Sequence, residues 1–266
     1  MKIAFICVNY NNAAISISYI ENVLKIKLNN DVKIIVVDND SKDDDYRKLN
    51  SFINTLHSSS VMLIKSSQNL GYFNGLNIGI KQALNDGYNE YQIIGNNDIE
   101  FSPDFLEILS KIIVKENELV ISPDVITNKG IHENPHVVER ISFFRWLKHE
   151  IYFSSYYIAW LITRVYSAER KPKTFDSQSK YIHMGIGALY ILTPNFFLHF
   201  NELWDKVFLY GEEAILSGQI ISVNGKILYE PTLRCYHNES ATTSKLTSKS
   251  KYKITKESYK IYKKYL

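Results

Sequence analysis

Cysteine is nearly absent, with Cys7 and Cys235 at opposite ends of a 266-residue chain. Two cysteines so placed make no disulfide framework. Cys7 lies inside an apolar run and reads as a small core residue, and a reducing compartment is the expected setting. Long membrane-crossing runs are missing as well. In the aromatic middle of the chain the longest uncharged piece, Ile151–Thr163, falls short of the roughly 20 residues a spanning helix needs. The opening MKIAFICVNYNN carries one Lys and a short apolar stretch without a small-residue cleavage site, so no secretory signal is expected. A large charge of one sign is also lacking. At +3 the balance is too near neutral for a nucleic-acid partner. What remains is an ordinary globular composition, 45% apolar and 22% charged, long enough for one well-buried core. The expected location is the cytosol or the inner face of a membrane.

The first half alternates two kinds of pattern. Lys2–Val8, Val32–Val37, Val61–Lys65 and Tyr91–Ile94 are short β-branched runs. Ala14–Leu28, Tyr46–Leu56 and Asn74–Leu84 have helical spacing. Strands separated by helices imply βαβ units and a parallel sheet, whose ligands bind at the carboxyl ends of the strands. Asn9-Tyr10-Asn11, Asp38-Asn39-Asp40 and Asn96-Asn97-Asp98 all fall at that edge. Any one of these clusters is explained by helix capping or a turn. Three at a single edge point to a site.

Four acidic or imidazole groups carry chemistry in this reading. Asp98 follows a hydrophobic strand, where a carboxylate can hold a divalent cation together with substrate phosphates. Glu212 and Glu213 follow an apolar-aromatic run and a glycine. One of them can serve as a general base, and crowding raises the pKa of at least one. His237 stands at the end of Leu233-Arg234-Cys235-Tyr236-His237, structural or metal-binding. His132-Glu133-Asn134-Pro135-His136 spaces two histidines as a helical zinc site would, but Pro135 disrupts such a helix and a surface loop is expected there.

In order and spacing these motifs resemble the family 2 glycosyltransferases of the GT-A fold, over roughly Lys2 to Ser244, and in the segment QNLGYFNGLNIGI their rhamnosyltransferase-like branch. The resemblance implies an α/β, Rossmann-like, mostly parallel sheet flanked by helices. It implies a nucleotide-sugar-binding half over 1–100 and an acceptor-side half over 101–244. VNYNN places Val8, Asn9 and Tyr10 at the nucleotide pocket. VVDNDS places Asp38, Asn39 and Asp40 near base and ribose, and QNLGYFNGLNIGI lays Asn69, Gly71 and Asn77 along the donor. GNNDIEF occupies the place of the metal-binding Asp-x-Asp motif, with Asn96 and Asn97 before the ligand Asp98. FLYGEEAILSGQI makes Glu213, the second acid beside Glu212, the catalytic base. KILYEPTLRCYH makes His237 the other metal ligand. The implied cofactor is Mn²⁺ or Mg²⁺. The implied donor is a UDP-, dTDP- or GDP-linked hexose or deoxyhexose, the acceptor a lipid-linked saccharide, and the reaction an inverting transfer. The sequence departs from the family pattern in lacking the first acid of Asp-x-Asp, in using Glu as the base, and in lacking the basic residues usual after it.

Two further segments bear on location. Residues 141–166 are dense in aromatics and read either as a buried core helix or as a segment lying in a membrane interface. The tail, 245–266, holds eight Lys against one Glu. It reads either as a membrane-docking basic helix or as a solvated helix closing the fold. Two other function classes compete with the transferase: a non-catalytic sugar- or nucleotide-binding relative, and a sugar nucleotidyltransferase. The latter needs a glycine-rich loop after the first strand, where this chain has Asn9-Tyr10-Asn11-Asn12.

Overall fold

The computed structural model describes residues 1–27, 29–165, 174–238 and 248–266. Tyr166, part of the polar stretch 167–180 and the first residues of the basic tail lie outside them. The chain builds one mixed sheet flanked by helices. Its first half runs β1 (Lys2–Asn9), α1 (Ala13–Ile26), β2 (Asp31–Asp38), α2 (Asp43–Thr55), β3 (Val61–Lys65), α3 (Tyr72–Asn85) and β4 (Tyr91–Asn96). Its second half runs β5 (Ile99–Phe101), α4 (Phe105–Lys111), β6 (Glu118–Thr127), α5 (Phe143–Ser154), α6 (Tyr156–Val165), β7 (Lys180–Ile182), β8 (Leu189–Leu192), α7 (Glu212–Ile221), β9 (Lys226–His237) and α8 (Ser248–Tyr262).

The strand order is β3-β2-β1-β4-β8-β6-β9-β5, with β7 also paired to β9. β3, β2, β1 and β4 are parallel, as the alternating sequence pattern requires. β8 then enters antiparallel between β4 and β6, and joins the two halves into one sheet. β1 and β2 are apolar on both faces because helices cover both sides. Ile3, Phe5, Val36 and Ile34 face the cluster shared with α1 and α2. Ala4, Ile6, Ile35 and Val37 face the cluster shared with α3.

The expected helices begin earlier than their apolar stripes suggest. Asp43, Asp44 and Asp45 form the first turn of α2 and complement its dipole. α3 starts at Tyr72, directly after Gly71. β6 and β9 each carry an internal proline, Pro123 and Pro231. Their register slips where Pro123 pairs with Glu230 and Asp124 with Arg234, a bulge that takes Pro231 out of a ladder it cannot donate to.

The aromatic segment is not the buried core helix that one reading expected. α5 and α6 bury only Phe153 and Ala159. Phe143 and Phe144 are 68% and 75% exposed, and Tyr157, Trp160, Leu161 and Val165 also reach solvent. α8 closes the fold: Tyr259 and Tyr262 are buried in a third cluster with Phe153, Val207 and Ile215, while Lys249, Lys253, Lys260 and Lys264 point outward.

Candidate active site

The carboxyl ends of β1, β2 and β4 and the segment after β3 gather most of the polar residues singled out in the sequence. Their side chains divide into those that build the edge and those that face out from it. Asn9 is fully buried and builds: its amide donates to Asp38 Oδ2 (2.8 Å), Ser41 Oγ (3.1 Å) and Asp45 Oδ2 (3.0 Å), and its carbonyl accepts from Ser16 Oγ (2.8 Å). Asp38 Oδ1 takes the Ser41 amide at 3.1 Å. Asn39 ties the β2 end to the next loop, donating to Asn69 Oδ1 and the Gly71 carbonyl while accepting from the Leu70 amide. Asn97 donates back to Ser16 Oγ at 2.8 Å. Tyr10 and Asp40 are exposed at the rim, Asp40 in the left-handed region. Val8 packs beneath, against the Gly75 position of α3.

Asn77 stands apart. Its amide donates to the Leu203 carbonyl and accepts the Leu203 amide, at 2.9 and 2.8 Å, and the side chain is buried. It clamps α3 to the 203 loop and does not face the edge.

Gly71 connects this edge to the second half. Its φ is +85°, and a Cβ there would run into the Phe208 carbonyl. That close approach lets the Tyr72 amide donate to Phe208 O (3.1 Å) and the Tyr72 hydroxyl to Gly187 O (3.0 Å). The Gly187 amide in turn donates to Glu213 Oε1 at 3.3 Å. Burial, and after it the charges of Glu212, Asp98 and Glu213, push the Tyr72 phenol well above its ordinary range. Tyr72 is thereby joined to Glu213 through the Gly187 backbone, a position the sequence did not mark because its segment was read through the asparagines and glycines.

The acid pair opens α7. Glu212 is buried, and its Oε1 has no hydrogen-bond partner among the described residues. Burial, and then the adjacent Glu213 charge, push it up to about 8. Burial also raises Glu213, against the stabilising hydrogen bonds from its own amide and that of Gly187. The turn before the pair is tight: Tyr210 and Gly211 both have positive φ, +70° and +92°. A Cβ at Gly211 would collide with the Tyr262 ring of α8.

Asp98 and His237 meet because β5 pairs antiparallel with the end of β9, Ile99 opposite His237. His237 Nε2 lies 3.4 Å from Asp98 Oδ1 and 3.4 Å from the Asn96 amide. Its Nδ1 is 2.8 Å from Glu133 Oε2. Burial lowers the imidazole pKa, but the two carboxylates outweigh it and push His237 up to about 10.

Glu133 corrects the expectation of a plain surface loop at 132–136. Its amide donates to Val125 O, His132 pairs with buried Asp124 at 2.8 Å, and Asn134 is fully buried, donating to Ser122 Oγ and Pro123 O. Among the described residues no group of three or more His, Cys, Asp or Glu forms a metal cage. A carboxylate and an imidazole whose far nitrogen is held by a second carboxylate nevertheless form a donor set that suits a divalent metal, which would replace the proton on the nearer nitrogen.

The model of the family described as Glycosyl transferase family 2 matches residues 5–176. The chain belongs to this family. Its fold is shared by solved GT-A structures. GalNAc-T7 with UDP, GalNAc and Mn²⁺ aligns over 90% of this chain and 44% of its own, at a TM-score of 0.62 and 14% identity. The Pyrobaculum calidifontis mannosyltransferase with GDP-Man and Mn²⁺ aligns over 91% and 58%, at 0.57 and 14%. Residues 1–349 of S. aureus TarS align over 90% and 61%, at 0.57 and 12%. The family 2 chain thus spans about half the length of these proteins. No curated protein matches it by sequence.

Proposed function

We propose that this family 2 chain is an inverting glycosyltransferase that moves a hexose or deoxyhexose from a UDP-, dTDP- or GDP-linked donor to a lipid-linked saccharide in the synthesis of bacterial surface polysaccharide such as capsule or O-antigen. The observation that carries the reading is the placement, at the carboxyl edge of the parallel strands, of Asp98 beside His237 and of Glu213 joined through the Gly187 backbone to Tyr72. The complexes of two fold relatives with UDP or GDP-Man and with Mn²⁺ support it.

Glu213 takes the proton of the acceptor hydroxyl. Its raised pKa makes it a stronger base, while the Gly187 amide keeps Oε1 aimed. The acceptor oxygen then forms its bond to the anomeric carbon on the face opposite the diphosphate. The bond to the diphosphate oxygen breaks, and the configuration inverts. Asp98 and His237 would hold Mn²⁺ or Mg²⁺, with Glu133 fixing the His237 ring. A bound cation supplies charge neutralisation at the diphosphate. Tyr10, Asp40 and Asn96 face the donor in this reading, and Val8, Asn9, Asp38, Asn39, Asn69, Gly71 and Asn97 hold the walls behind them.

The apolar face of α5 and α6 and the outward lysines of α8 suit the inner surface of an anionic membrane, where a lipid-linked acceptor resides. No helix among the described residues is long and apolar enough to cross that membrane.

Glu213→Gln tests the reading. Transfer with each nucleotide-sugar is expected to fall at least about a hundredfold while donor binding persists. Full activity in this variant removes Glu213 as the base, and a product that retains the donor configuration removes the mechanism.

A further inference from the structure

α5, α6 and α8 line, with the loop before α7, a half-open cavity of about 430 Å³ that contains none of the donor-edge or acid residues. Tyr152, Tyr156, Trp160, Tyr210 and Tyr252 form its walls, and Thr163, Thr255 and Lys251 add polar groups. The rings are arranged as a cage: Tyr156 meets Tyr252 edge-on with centroids 5.5 Å apart, and the Lys251 ammonium stands 5.6 Å from the Tyr210 ring centre. The volume falls within the ordinary small-molecule range, roughly 300–1,000 Å³.

We propose that this cavity is the subsite for a pyranose ring of the acceptor. Aromatic faces pack on the C–H faces of a sugar ring, the Thr163, Thr255 and Tyr252 hydroxyls, whose protons go to backbone carbonyls, keep lone pairs to accept from its hydroxyls, and the Lys251 ammonium donates to them. An alkyl chain has no use for so many polar groups. One wall of the cavity adjoins the acid pair along the chain. Tyr210 is three residues from Glu213, so chain geometry keeps their Cα atoms within about 10 Å. The Ser258 hydroxyl of α8 donates to the Leu209 carbonyl at 2.7 Å and fixes this wall to the acid loop. A sugar held here presents its neighbouring hydroxyl toward the acid pair, and the exposed apolar face of α5 and α6 borders the entrance. The assignment rests on the transferase reading for its choice of a saccharide acceptor.

The test uses methyl α-glucoside, methyl α-galactoside and methyl α-rhamnoside as probes, observed by saturation-transfer NMR with the full chain, beside octyl sulfate as a sugar-free control. At least one methyl glycoside is expected to receive saturation on its ring protons. Trp160→Ala and Tyr156→Phe, both checked for cooperative melting, are expected to weaken it, the first at least fivefold and the second less. No glycoside signal, signals unchanged in Trp160→Ala, or octyl sulfate alone binding in a Trp160-dependent way overturns the assignment. Hydrolysis of nucleotide-sugars by the wild-type chain with Mn²⁺ is measured separately. Its absence counts against the transferase reading, while the glycoside result still decides the cavity.

Discussion

Replacing Gly211 by Ala probes how the acid loop depends on α8. Two costs arise at that position. The backbone stands at φ +92°, where a Cβ adds about 1–2 kcal/mol. The same Cβ meets the buried Tyr262 ring, and overpacking adds about 1–3 kcal/mol. The single variant is therefore expected to lose about 2–5 kcal/mol. Tyr262→Ala alone removes a ring that is 8% exposed, at about 3–5 kcal/mol on the scale of other aromatic truncations. In the double variant the backbone strain remains, but the collision is gone. The two losses should then fall short of additivity by about 1–3 kcal/mol. Urea unfolding of the four proteins measures this directly. Gly218 provides the control, because a Cβ there meets Tyr265 and not Tyr262, so Gly218→Ala should couple to Tyr265→Ala and add with Tyr262→Ala. Additivity of Gly211→Ala and Tyr262→Ala within about 0.5 kcal/mol would refute the contact as the reason for glycine.

Glu133→Gln should weaken Mn²⁺ binding about 10- to 100-fold with nucleoside diphosphate present, read by electron paramagnetic resonance of free Mn²⁺, because the His237 ring loses its carboxylate partner; unchanged binding removes Glu133 from the site. The acid pair predicts a pH dependence with a definite sign. The fold holds a proton on Glu212 up to about 8, against an ordinary 4.5, so stability is full below the ordinary value and falls as pH rises toward 8. Between pH 5 and 6.5 the slope from this proton is at most about 1.4 kcal/mol per unit, and Glu212→Gln should flatten it. Because Glu212 is already neutral where Glu213 titrates, the same variant should leave the acid limb of the transfer rate in place, and a displaced limb in its pH–rate profile contradicts a neutral Glu212. For the membrane face, flotation should recover the chain with anionic vesicles, less at high salt and little with neutral ones. Phe143→Ser with Phe144→Ser should reduce recovery several-fold, and equal recovery on neutral lipid would exclude the basic contribution.

The parallel half of the sheet was legible because its strands are unbroken β-branched runs between helical stripes. β6 and β9 were harder to read, since Pro123 and Pro231 interrupt them and their pairing depends on a bulge that no local pattern announces. The pairing of Asp98 with His237 followed from motif order, whereas Glu133 did not: 104 residues separate it from His237, and the proline beside it reads as a loop. The asparagines show a different limit. Asn9, Asn39, Asn77 and Asn96 are the same side chain in the sequence. Only the folded chain separates Asn77, spent on Leu203, and Asn9, spent inside the edge, from Asn96, which reaches His237.

The buried ties of Asn9 also bear on folding fidelity. Ile3–Cys7 and Ile34–Val37 are nearly interchangeable apolar ribbons, hidden on both faces, so their side chains barely distinguish one alignment from the next. Asn9 lies opposite Asp38 only in the native alignment. Any shift would carry a buried amide and carboxylate away from Ser16, Ser41 and Asp45, leaving polar groups stranded at a cost of about 1–3 kcal/mol each. The polar ends of these two strands thus select the one correct pairing among several that the hydrophobic effect alone would accept.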